Sequence, residues 1–268
     1  MAFAAVGAAR RTGAASPERL QIEAEWLAAI IKTMMMISWI HHSRIGFTDD
    51  QKGAATEMGM QALMNVRCTN LVNPVCDWLG EIYDPASREF VIPGRGRLPL
   101  NEESVFCTLG VPHGQTKVSY EVNNKIEEAL FPRLFPGLES MPNTSVLADL
   151  LQAMTTHGEV FKMKLLMYLI SAVFAPTTSL RPSNKCFPIL AKMKDVKNMN
   201  WCKFIADFLH DAFSSKMYQK GCQLHLMLMY VDCLICPSWI SLGQEARRLR
   251  TSLLFLHGLS MLSRLCLL

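Results

Sequence analysis

The sequence predicts a mainly α protein, a single helical domain with one small β-hairpin near 88–100. Three observations carry this. Apolar residues recur every three or four positions along most of the chain, the spacing of one buried helix face. Helix-start residues stand in front of those stretches: Ser16-Pro17-Glu18, Thr48 with Gln51 three residues on, Asn101, and Asn200. Strand-like sequence is confined to Arg88-Glu-Phe-Val-Ile-Pro93, with a return over Leu98–Leu100.

In chain order, residues 1–16 are Ala-rich, carry Arg10 and Arg11, and have no acid before Glu18. They are expected to be a disordered tail, with an organellar transit peptide as the alternative. Ile22, Trp26, Ile30, Thr33, Ile37 and Ile40 then mark one face of a first helix, which breaks at His41–Arg44. Thr48-Asp-Asp-Gln51 opens a second toward Met64, weakened by Gly53 and Gly59. Asn73-Pro74 opens a third, with Val75, Trp78, Leu79 and Ile82 on one side. The hairpin follows, its tight turn placed at Gly94–Arg97. A short helix from Asn101 to Leu109 should end at Gly110. Val122, Ile126, Ala129 and Leu130 suggest a helix stopped by Pro132, and 131–143 reads as a loop with three prolines. Helices are expected at about 144–156 and 159–174. The second is apolar nearly all round, hence central, and ends before Pro176. Residues 177–197 read as irregular and basic. Trp201, Phe204, Ile205, Phe208, Leu209 and Ala212 form the stripe of a strong helix, with Lys203, Asp207 and Asp211 facing out. The last helix runs from near Gly221 through Tyr230.

Composition bounds the function. The 268 residues are 50% apolar and 19% charged, so the chain can bury a core. A net charge of +4 falls short of a dedicated nucleic-acid binder. Nine cysteines, an odd number lying mostly in apolar stretches, suit free buried thiols in a reducing compartment. The apolar runs 26–40 and 224–242 are interrupted by Lys32 and Asp232 and read as buried helices, so no membrane is expected as a partner.

Chemical motifs are sparse. Gly94-Arg-Gly96 lacks the third glycine and following helix of a dinucleotide loop. There is no G-x-S-x-G and no H-E-x-x-H. Cys222, His225, Cys233 and Cys236 form C-x2-H-x7-C-x2-C, which could hold zinc; their apolar, helical setting favours plain buried thiols, so no metal is expected. His157 is read as a helix C-terminal residue and His210 as solvent-facing. Arg181, Lys185, Lys192, Lys194 and Lys197 could touch phosphates, but only Phe187 offers a stacking ring among them. Nucleic acid is therefore possible but not favoured. No catalytic residue and no cofactor is expected.

An ordered set of segments adds a family resemblance. It comprises Val66-Arg-Cys68, Cys76-Asp-Trp-Leu79, Tyr83-Asp84, Phe90–Pro93, and Pro99-Leu-Asn101 with Ser104-Val105. Leu109-Gly-Val-Pro-His-Gly114, Phe174–Thr178, Asn200-Trp-Cys202 and Leu226–Asp232 complete it. Over about 45–232 the chain resembles the plant mobile domain, often labelled aminotransferase-like. The resemblance implies a transposon-derived protein acting in the nucleus in silencing or genome maintenance, through a nuclear protein partner. It implies no transaminase: the strand–helix alternation of a pyridoxal-phosphate scaffold is missing, and Lys185 lies in no Schiff-base motif. A non-enzymatic protein-interaction module over 17–232 is the reading this supports. A nucleic-acid-binding transposon remnant and an enzyme with an unrecognised site are the alternatives. Residues 233–268, rich in Leu, Ser, Arg and Cys, are expected to be a non-family, aberrant tail of a truncated or mis-spliced product.

Overall fold

A computed structural model of the chain describes residues 47–64, 73–92, 96–176 and 179–235. The expected tail over 1–16, the helix over 17–40, segment 66–68 and residues 236–268 lie outside them, as do residues 94–95 of the turn expected at Gly94–Arg97, whose Gly96 and Arg97 instead begin a strand. Among the described residues the protein is mainly α with one small antiparallel sheet.

The helix starts follow their caps. Thr48 accepts from the Gln51 N–H, and the Gln51 side chain accepts from the Thr48 N–H, opening α1 (Asp49–Glu57). Gly59, at φ +77°, ends this run, so the single helix expected toward Met64 is two, the second being α2 (Gln61–Met64). α3 spans Asn73–Glu81. The hairpin acquires a third strand: β1 (Tyr83–Asp84), β2 (Glu89–Ile92) and β3 (Gly96–Pro99) lie in that order, all antiparallel. Phe90 pairs with Tyr83 on one side and Leu98 on the other. Asn101 caps α4 (Glu102–Leu109), and Gly110 closes it in the left-handed region at φ +60°.

α5 (Asn124–Leu134) contains Pro132 instead of stopping at it. Pro132 falls in the last turn, where only one internal hydrogen bond is forfeited, and Leu134 and Phe135 continue into the core. Val122 lies before this helix and is exposed. α6 (Thr144–Ala153) ends earlier than expected, so His157 sits in a loop, 4.0 Å from Asp50. α7 (Glu159–Leu169) is the central helix, passing into a π-helical turn over Ile170–Phe174. Lys164 is nearly buried on it, its ammonium 5.5 Å from the centre of the Phe135 ring, and burial lowers its pKa.

The stretch expected to be irregular is helical in short pieces: a 3₁₀ turn over Asn184–Cys186, α8 (Phe187–Leu190), and a 3₁₀ helix over Met193–Asn198. Phe187 is fully buried and unavailable for stacking. α9 (Trp201–Ser214) has Asn200 as its cap and buries Trp201, Ile205, Leu209 and Ala212. α10 runs from Gln223 to Ile235, continuing past Asp232.

A single hydrophobic cluster extends from Ala54 to Met229, with Phe161, Phe174, Phe187 and Trp201 fully buried. The sheet packs on α9 through Phe90 and Tyr83, whose rings lie 5.9 and 5.5 Å from Phe213. Tyr83 also hydrogen-bonds His210 over 2.8 Å, so His210 is tied to the sheet and does not face solvent freely. No helix among the described residues is long and apolar enough to cross a membrane.

Candidate functional site

Residues in or beside three of the segments that carry the resemblance meet at one place on the surface. Glu102 begins α4, His113 lies in the loop that follows it, and Asn200 caps α9. One carboxylate oxygen of Glu102 accepts from the Asn200 amide at 2.8 Å and lies 2.5 Å from His113 Nε2. The Asn200 hydrogen bond holds the Glu102 carboxyl below its ordinary pKa, with His113 adding to it, against the desolvation that raises it. The backbone ties the same segments together. Trp201 N–H donates to the Pro112 carbonyl at 3.1 Å, and Asn200 N–H donates to Thr116 at 2.7 Å. Gly114 packs so closely on this strand-like bridge that a Cβ there would sit 1.9 Å from the Asn198 carbonyl oxygen. Gly114→Ala should therefore destabilise the fold by about 2 kcal/mol. A urea midpoint unchanged from wild type would refute that.

The Cys202 thiol beside the Glu102–His113 contact is not an activated nucleophile. The Cys202 thiol points to the Val111 and Pro112 carbonyls at 3.5 and 3.8 Å. Burial pushes it up to about 12, with Glu102 and Glu103 adding to the shift, so it stays protonated.

A family model described as "Domain of unknown function (DUF8566)" matches residues 40–227. The chain belongs to this family. No curated protein and no solved structure matches the chain. The DUF8566 span contains the Glu102–His113–Asn200 contact and every element from α1 into the start of α10.

The residues singled out from sequence fall in different places on the DUF8566 domain. Cys222 and His225 are fully buried at the start of α10. Thr108 Oγ1 lies 3.0 Å from the Ser104 carbonyl and 2.6 Å from His225 Nδ1. With the threonine's proton on that carbonyl, His225 Nδ1–H is the donor; in either tautomer Nε2 is unpartnered among the described residues. Cys233 lies eight residues beyond His225 on the same helix, about 12 Å along its axis. Cys236 is outside the described residues, and no group of three potential metal ligands occurs among them.

The basic residues are also split. Arg181 is held by Asn143 at 3.3 Å, and Lys185 lies over the Tyr120 ring at 5.8 Å. Lys192, Lys194 and Lys197 are exposed on and before the second 3₁₀ helix. Sequence reasoning missed the Glu102–His113 pair and the grouping of Lys194 with Lys197. The first had one faint signal, that His113 lies in a segment of the ordered set and Glu102 between two of them. The second required recognising a three-residue period where the sequence looks irregular.

Proposed function

We propose that this DUF8566 chain is a non-enzymatic protein-interaction module acting in the nucleus, of the transposon-derived kind that its resemblance to the plant mobile domain implies. The observation that supports the reading is that the buried Cys186, Cys202, Cys222 and His225 are all held in their neutral forms by burial. Burial pushes the thiols of Cys186, Cys202 and Cys222 up to about 12. It pushes the imidazole of His225 down to about 3. These groups are packing residues in protonation states that do no acid–base or nucleophilic work at neutral pH. What the fold offers to other molecules is its surface, held by a continuous core.

Affinity purification of the tagged full chain from nuclei, followed by mass spectrometry, tests this. A protein partner retained in proportion to the bait, and rebound by the purified chain after nuclease treatment, is the expected result. Two outcomes overturn it: duplex DNA bound with a steep salt dependence and no protein retained, or a turnover activity that follows the purified chain.

A further inference from the structure

Resting on the reading of the domain as an interaction module, we propose that Lys194 and Lys197 form a docking ridge for an extended, acidic segment of a partner protein. The 3₁₀ helix over Met193–Asn198 repeats every three residues. Val196 is fully buried and Met193 packs against the core, so the helix has a fixed inner side. Lys194 and Lys197 eclipse each other on one outer flank, about 6 Å apart, and both are exposed.

The support beneath them is rigid. The Val196 carbonyl accepts the Trp201 indole N–H at 2.9 Å, and the Asn198 carbonyl accepts Thr116 N–H at 3.0 Å. Lys197 runs its stem past Gly59, where an added Cβ would lie 3.5 Å from the lysine Cγ. A stem already laid against the surface loses less freedom on binding.

The charge on this ridge is unspent. Among the described residues neither Lys194 nor Lys197 has an ion-pair partner, whereas Lys203 is taken by Asp207 at 3.2 Å. Glu102 is engaged by Asn200 and His113, Glu57 is taken by Lys162, and Asp195 is offset from both lysines by the three-residue period of the helix. In an extended peptide, alternate side chains share a face about 6.7 Å apart, which matches the spacing of Lys194 and Lys197. Nucleic acid fits less well. Phe187 and Trp201 are fully buried, so neither ring of this region can take a base, and two phosphate contacts give only a shallow, weak association.

The test uses the full chain and a fluorescein-labelled peptide of alternating Glu and Ser, read by anisotropy at about 50 and about 200 mM salt. Saturable binding at the lower salt is expected, weakened at least about tenfold in the double variant Lys194→Glu/Lys197→Glu. Lys125→Glu/Lys220→Glu, which changes net charge equally elsewhere, should stay within about twofold of wild type. All these lysines lie outside the core, so melting curves should coincide. The ridge is overturned by absence of peptide binding at the lower salt, by equal loss in the control variant, or by a DNA duplex that binds more tightly than the peptide. A chain that fails to bind the peptide yet retains a nuclear protein leaves the module reading standing without the ridge. A chain that binds the peptide but retains no protein from nuclei overturns that reading alone.

Discussion

Lowering the pH from 7 to 4 should cost the fold about 3 kcal/mol through His225 alone. Its imidazole is fully buried, and that burial pushes it down to about 3, against an ordinary value of 6.5. Between those two values the unfolded chain binds a proton that the native chain refuses. Stability therefore falls as pH drops through that window, by about 1.4 kcal/mol per unit. Above 6.5 both states are neutral at this site and the dependence vanishes. His225→Leu should remove the slope. Thr108 still has the Ser104 carbonyl for its proton, so the change strands no buried donor. Carboxylates such as Glu102 add their own losses in more acid solution, so the decisive interval is pH 5 to 6.5, followed by urea unfolding of both proteins. Equal slopes for wild type and His225→Leu in that interval would show that the imidazole protonates without unfolding.

Features fixed by neighbours in sequence were legible. Thr48, Asn101 and Asn200 cap helices as expected, since a cap is settled within three residues. The all-round apolar stretch after Glu159 is the central helix for the same kind of reason. Misreadings came where distant contacts outweigh local preference. Pro132 does not stop α5 because Leu134 and Phe135 are drawn into the core beyond it. His210 looks solvent-facing along α9, but the sheet brings Tyr83 to it from 127 positions away. The candidate site was still less visible. Glu102 and Asn200 stand 98 residues apart and meet only because two helix starts converge. The five basic residues were visible as composition. Their division into Arg181 and Lys185, engaged by Asn143 and Tyr120, and a free-standing pair at 194 and 197 depends on a 3₁₀ period that polar, lysine-rich sequence conceals.

Trp201→Ala should be the most damaging single truncation in the domain, costing about 3–5 kcal/mol. That is a large share of the roughly 5–15 kcal/mol that holds a typical domain together. The indole is fully buried between Phe174, at 5.3 Å, and Phe204, at 6.0 Å. Removing it opens a cavity where the π-helical turn, the 3₁₀ helix and α9 meet, and those backbones are too constrained to collapse into it. It also strands the Val196 carbonyl, which accepts the indole N–H. Trp201→Phe separates the two effects. It keeps most of the apolar volume and loses only the hydrogen bond, so about 1–3 kcal/mol is expected. Because Val196 is the inner anchor of the segment bearing Lys194 and Lys197, Trp201→Phe should also weaken the acidic-peptide complex while the protein stays folded. Urea midpoints give the first comparison and anisotropy titrations the second. A Trp201→Ala protein within about 1 kcal/mol of wild type would mean that the site repacks freely, and that the ridge is not held from beneath by the indole.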